Sequence, residues 1–100
     1  MCEKNIEIHR RILDAMHDLY VAKNNDYGNS VHDTYMKFGP DAYLVRMNDK
    51  LNRAINLVHN GTEKAYVTSE SLKDTLIDLA NYAILMCIEL EDDFKGDLYD

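Results

Sequence analysis

The stretch Ser71–Leu90, SLKDTLIDLANYAILMCIEL, decides the fold. At roughly 100° per residue, Leu72, Leu76, Leu79, Ala83, Met86 and Leu90 line up as one apolar face, while Asp74, Asp78 and Asn81, preceded by Glu70, gather on the other. A helix face left in water is polar throughout, yet Ile77, Ile84, Leu85 and Ile88 stand beside these acids. Both sides of the helix are therefore expected to be covered, by another helix or by another subunit. A covered carboxylate is costly unless it is protonated, paired or bound to a cation. The acids thus mark a candidate site.

Thr68 or Ser69 is expected to cap this helix, with Val67 and Leu72 as a hydrophobic staple if Thr68 is the cap. Ending near residue 93, it would be ~37 Å long, longer than any other helix here, and association through it is expected. Upstream, residues 5–24 carry Ile8, Ile12, Leu13, Met16, Leu19 and Tyr20 at helical spacing, and Asn24-Asn25-Asp26-Tyr27-Gly28-Asn29 then reads as a turn. A short helix is expected over 31–37, ended by Phe38-Gly39. Pro40 suits a helix start, and 41–59 follow with Leu44, Met47, Leu51, Ile55 and Val58 on one face, closed by Asn60-Gly61. No period-two alternation occurs. The prediction is an all-α, antiparallel bundle of three long helices and a short one. It forms one domain over 1–94, followed by an acidic, frayed tail over 95–100.

One hundred residues suffice for one domain. A net charge of -7 and a pI near 4.9 exclude broad attraction to duplex nucleic acid or anionic lipid. A small anionic ligand would need cations placed locally, or a metal. No run of ~18 apolar residues and no leader pattern is seen, and Cys2 and Cys87 are too far apart in sequence and context to suggest a disulfide. A cytoplasmic, reduced, non-membrane protein is expected.

Arg46, Asp49, Lys50 and Arg53 fall on one arc of the third helix. They suit either a solvated face laced by Asp49 pairs to Arg46 and Arg53 or a cationic wall for phosphate, with arginine as bidentate donor. Asp74 and Asp78, spaced i, i+4, point the same way. With Asp49 they suit Mg²⁺, a hard cation that takes oxygen ligands and bridges to phosphates. They equally suit salt bridges to Arg46, Lys50 or Arg53. The dipole at a helix start accounts for Glu70 and Asp74 but not for Asp78, two turns in. Lys23 to Gly28 sets Lys, Asn, Asp and Tyr on a turn, and Tyr27 or Tyr35 has the ring to stack on a base. His9, His17, His32 and His59 have no zinc spacing, and neither a phosphate-cradling Gly loop nor a nucleophile elbow is present.

Three motifs in order, Lys23-Asn24-Asn25-Asp26-Tyr27-Gly28, Arg46-Met-Asn-Asp49-Lys50-Leu51-Asn-Arg53 and Asp74-Thr-Leu-Ile-Asp78-Leu-Ala-Asn81-Tyr-Ala83, resemble the nucleotide modification associated domain 1 family over residues 8 to 90. The family consists of small, largely phage and prophage proteins. The last helix is more distantly similar to the metal-binding helix of MazG-type all-α NTP pyrophosphatases, whose ExxD becomes Asp78-Leu-Ala-Asn81 here. Asp49 is followed by Lys50 and Arg53 where those enzymes have a second acid. The resemblance implies a nucleotide-binding protein of phage-type nucleotide metabolism, and the length and two apolar sides of the last helix add the expectation of a homo-oligomer. Lys23, Asn24, Asp26, Tyr27, Arg46, Lys50, Arg53 and Asn81 would then contact ligand. As a pyrophosphohydrolase it would use Asp49 and Asp78 catalytically, with Mg²⁺ on Asp49, Asp74 and Asp78. The alternative is a noncatalytic binder that sequesters a nucleotide or nucleotide-derived signal.

Overall fold

The computed structural model describes the backbone of residues 2–27, 30–60 and 65–99, and the side chains of 2–23, 30–59 and 71–91. It is all-α, with no strand among the described residues. The helices are α1 (Glu3–Tyr27), α2 (Ser30–Phe38), α3 (Asp41–Asn60) and α4 (Ala65–Tyr99). Two compact units divide the chain, Met1–Ser30 and Val31–Asp100. The first is α1, an amphipathic helix with Ile8, Ile12, Met16 and Tyr20 at i, i+4 spacing.

Three boundaries differ from expectation. Asn24 to Tyr27 continue α1 instead of forming a turn, because Asn and Asp cost only ~0.7 kcal/mol each relative to Ala in a helix already nucleated. α4 begins at Ala65, so neither Thr68 nor Ser69 starts it; the side chains of the expected cap and staple lie outside the described residues. α4 also runs past residue 93 to Tyr99, since nothing after Leu90 is a proline to stop it.

The α2–α3 corner follows the expected chemistry. Gly39 takes φ 76, its N–H donates to the Tyr35 carbonyl at 2.7 Å, and Pro40 opens the first turn of α3, where Tyr43 and Leu44 N–H groups donate to its carbonyl. This is the left-handed helix stop that glycine favours, followed by the helix start that proline favours. A Cβ at Gly39 would meet no atom within 4 Å, so only backbone strain opposes it. Gly39→Ala is expected to lower unfolding free energy by about 1–2 kcal/mol, measured by urea denaturation.

In the second unit α3 packs along α4. Arg46 lies over the Tyr82 ring and Lys50 pairs with Asp78, so α4 retreats four residues as α3 advances four. The two helices are antiparallel. The stripe of α3 facing the seam is Tyr43, Met47, Lys50, Ala54 and Leu57. That of α4 is Ser71, Thr75, Asp78, Tyr82, Leu85 and Glu89, and every member of both is buried or half-buried. Both follow the alternating four-and-three spacing of left-handed helix pairs. α2 closes one end through a core of Tyr35, Ala42 and Tyr43, joined by Val31, Tyr82, Leu85 and Met86. The Tyr35 and Tyr43 rings meet at 5.8 Å and 57°.

This seam corrects the sequence reading of both helices. The deepest burial falls one residue earlier than the apolar faces expected to form the core: Leu44, Leu51, Ile55, Val58, Leu76 and Leu90 on those faces are exposed, while Met47 lies on the seam and Leu72, Leu79, Ala83 and Met86 are half-buried. Burial went instead to the mixed stripe, because its polar members satisfy one another or their own backbone. Lys50 meets Asp78, and the Thr75 hydroxyl donates to the Ser71 carbonyl at 2.8 Å.

Candidate functional site

Residues one position before the seam share a side of the α3·α4 pair. On two antiparallel right-handed helices, stripes displaced in the same rotational sense from the seam lie on the same side. On α3 these are Arg46, Asp49, Arg53 and Asn56, and on α4 they include Asp74, Ile77 and Asn81. The register set by Lys50 and Asp78 brings Arg46 to within one residue of the level of Asn81, and Arg53 to within one residue of the level of Asp74. Helical periodicity thus gathers the candidates of two separate motifs on one side. Asn56 was not anticipated, although its place three residues after Arg53 puts it on the same stripe.

Lys50 and Asp78 bridge the seam beneath this face, Nζ to Oδ2 at 3.2 Å, with side chains 32% and 33% exposed. At that exposure the pair contributes at most about 1 kcal/mol, but it fixes where the ammonium stands. Arg46 is exposed, its guanidinium 6.0 Å from the Tyr82 ring centroid, at the outer limit of a cation–π contact. Arg53, Asp49 and Asp74 are exposed, and among the described residues none of the three is held in an ion pair. The network expected between Asp49 and the two arginines is therefore not made. Of the salt bridges considered for the acids, the structure forms Lys50–Asp78.

The acids are less buried than their place in an apolar helix suggested. Asp74 is exposed and Asp78 a third exposed, because the side opposite Leu76 stays largely open. The carboxylate that is deeply buried is Glu89, 6% exposed, which the sequence reading passed over. His32 on α2 meets both its oxygens through Nδ1, at 2.9 and 2.8 Å. A signal existed: Glu89 falls on the stripe of Asp78, Tyr82 and Leu85.

No three carboxylate, imidazole or thiol groups among the described residues stand together as a metal-ligand set. Asp49, Asp74 and Asp78 share a helix pair without converging, and they do not fit a preformed three-carboxylate Mg²⁺ site. Tyr35 is core, packed on Tyr43, and offers no ring to a base. Lys23 is exposed on α1 in the first unit and already has an interaction partner. The side chains of Asn24, Asp26 and Tyr27 lie outside the described residues. Cys2 and Cys87 are free and exposed. Among the described residues no helix is long and apolar enough to cross a membrane.

Comparison with known proteins places a family model, described as nucleotide modification associated domain 1, on residues 23–90. No curated protein and no solved structure matches the chain. The matched span takes in all of α2 and α3 and α4 through Leu90, and hence the whole polar side.

Proposed function

Because the chain belongs to the nucleotide modification associated domain 1 family, we propose that the polar side of its α3·α4 pair binds the phosphates of a nucleotide or nucleotide-derived molecule. The observation that carries this reading is Arg53. In a chain of net charge -7 it is an exposed guanidinium without an ion pair among the described residues, one turn from Lys50 and two from Arg46. Three cations stand on neighbouring stripes of one helix, and the acids nearby leave the two arginines without an ion pair among the described residues, so both guanidiniums are available to phosphate oxygens. Asp78 orients Lys50 across the seam. Asn81, half-buried and near the level of Arg46, would add a neutral donor and acceptor.

Binding without turnover is the form of this activity that the side chains fit most directly, since Asp78 acts through Lys50. A Mg²⁺-dependent pyrophosphohydrolase remains the finer alternative, favoured by the presence of Asp49 and Asp74 on the same open side. No hydrolytic step follows from three carboxylates that do not converge.

Isothermal calorimetry with nucleoside mono-, di- and triphosphates, with and without Mg²⁺, tests both. Binding is expected to persist without Mg²⁺, and product analysis by chromatography separates a binder from a hydrolase. Arg53→Ala is expected to weaken the best ligand about tenfold, or ~1.4 kcal/mol, while shifting unfolding free energy by no more than about 0.5 kcal/mol. No heat from any nucleotide, or unchanged affinity in Arg53→Ala, would refute the proposal.

A further inference from the structure

The polar side of the α3·α4 pair changes in character along its length. Arg46 and Arg53 stand on nearly the same line of α3, about 20° apart around the helix and about 10.5 Å apart along it. Their surroundings differ. Arg46 holds its guanidinium over the half-buried Tyr82 ring at 6.0 Å, the half-buried Asn81 precedes that ring in the chain, and residues 79–88 of α4 contain no charge. Arg53 has a second cation one turn away, the Lys50 ammonium fixed by Asp78 at 3.2 Å. Between the two arginines, about 4.5 Å along the helix from Arg46, is Asp49, exposed and in no ion pair among the described residues.

A phosphate chain long enough to reach both guanidiniums would run past the Asp49 carboxylate and be repelled by it. A ligand that is anionic at one end only is not. Nucleobases stack on guanidinium planes, and the donor and acceptor of an Asn amide match a base edge. An ionised carboxylate accepts only, and sugar hydroxyls are suitable donors. Two cations one turn apart suit a phosphate. Taken along α3, these three chemistries follow the covalent order of a nucleotide. Resting on the phosphate-binding reading above, we infer that the ligand is a nucleoside 5′-monophosphate lying along α3, with its base at Arg46 and Asn81, its sugar hydroxyls on Asp49 and its phosphate on Lys50 and Arg53. A second or third phosphate gains nothing here. Residues 54–58 of α3 hold no cation, and the exposed Asp74 of α4 is within one residue of the level of Arg53.

Calorimetry on the full chain tests this with ribo- and deoxyribonucleoside 5′-mono-, di- and triphosphates, the parent nucleosides and ribose 5-phosphate. Mono-, di- and triphosphates of the best base are expected to bind within about threefold of one another. Arg46→Ala should weaken the nucleotide and the nucleoside about tenfold and leave ribose 5-phosphate unchanged. Arg53→Ala should weaken the nucleotide and ribose 5-phosphate and spare the nucleoside. Asp49→Ala should weaken all three. All three substitutions are at exposed residues, and retained helical circular dichroism confirms that each variant is folded. Triphosphate binding tenfold or more tighter than monophosphate overturns the inference, and so does affinity gained in Asp49→Ala. Ribose 5-phosphate as sensitive to Arg46→Ala as the nucleotide also overturns it. If the nucleosides and ribose 5-phosphate bind below detection, the nucleotides decide through chain length and the sign of the Asp49→Ala change. These outcomes leave the binding of phosphates at Arg53 intact, whereas no heat from any nucleotide refutes that reading and this inference together.

Discussion

Tyr43→Ala is expected to remove about 3–5 kcal/mol of stability, the range for deleting a buried aromatic side chain. Tyr43 is 3% exposed and sits where all three helices of the second unit meet, in the cluster with Tyr35, Ala42, Tyr82 and Leu85. Its loss leaves a cavity that Ala42 and Val31 are too small to fill, and takes from Tyr35 a tilted ring contact at 5.8 Å. That contact is itself worth about 0.5–1.5 kcal/mol. Small domains unfold with about 5–15 kcal/mol in total, so this one substitution removes a large share. Tyr43→Phe keeps the ring and its packing and is expected to cost no more than about 1–2 kcal/mol. Urea denaturation followed by helical circular dichroism distinguishes the two. A Tyr43→Ala variant as stable as Tyr43→Phe would mean that the α2–α3–α4 core does not hold this unit together.

His32→Ala is expected to cost about 2–3 kcal/mol, because it strips the His32 Nδ1 partner from both oxygens of a carboxylate that is 6% exposed. Most of that cost is the penalty of leaving Glu89 buried without its donor, so the size of the effect depends on the partner. In a Glu89→Leu background the same His32→Ala change should cost only about 0.5 kcal/mol or less, since no buried charge remains to be satisfied. Glu89→Leu alone leaves an imidazole whose side chain is 47% exposed and can turn to water. Denaturation midpoints of the four proteins form a double-mutant cycle. Additive effects would show that the pair is incidental to the docking of α2.

Helix content was readable because it is local. Turn chemistry at Phe38-Gly39-Pro40 and the 3.6-residue periodicity of α3 and α4 depend on neighbours in sequence, and the structure follows them to within a few residues. Asn24 to Tyr27 and Thr68 to Ser69 misled for the converse reason: good turn or cap residues carry a preference of a kcal/mol or less, which a longer continuous helix overrides. For the candidate site, the motif spacing placed Arg46, Asp49 and Arg53 on one stripe and Asp74 and Asn81 on another. That the two stripes share a side, with Lys50 and Asp78 bridging the seam below, depends on the register of the pair.

The sequence by itself determined four helices, their order, and the adjacent stripes on α3 and α4. Only the tertiary structure decided which stripe turns inward. On α4 the stripe through Leu72, Leu76 and Leu79 and the stripe through Thr75, Asp78 and Tyr82 have the same spacing, and hydrophobicity favours the first. The second is the more deeply buried, at Thr75 and Glu89, because Asp78 finds Lys50 from α3 and Glu89 finds His32 from α2, 28 and 57 residues away in the chain. Partners at that separation cancel the cost of covering polar groups, and helical periodicity contains no term for them.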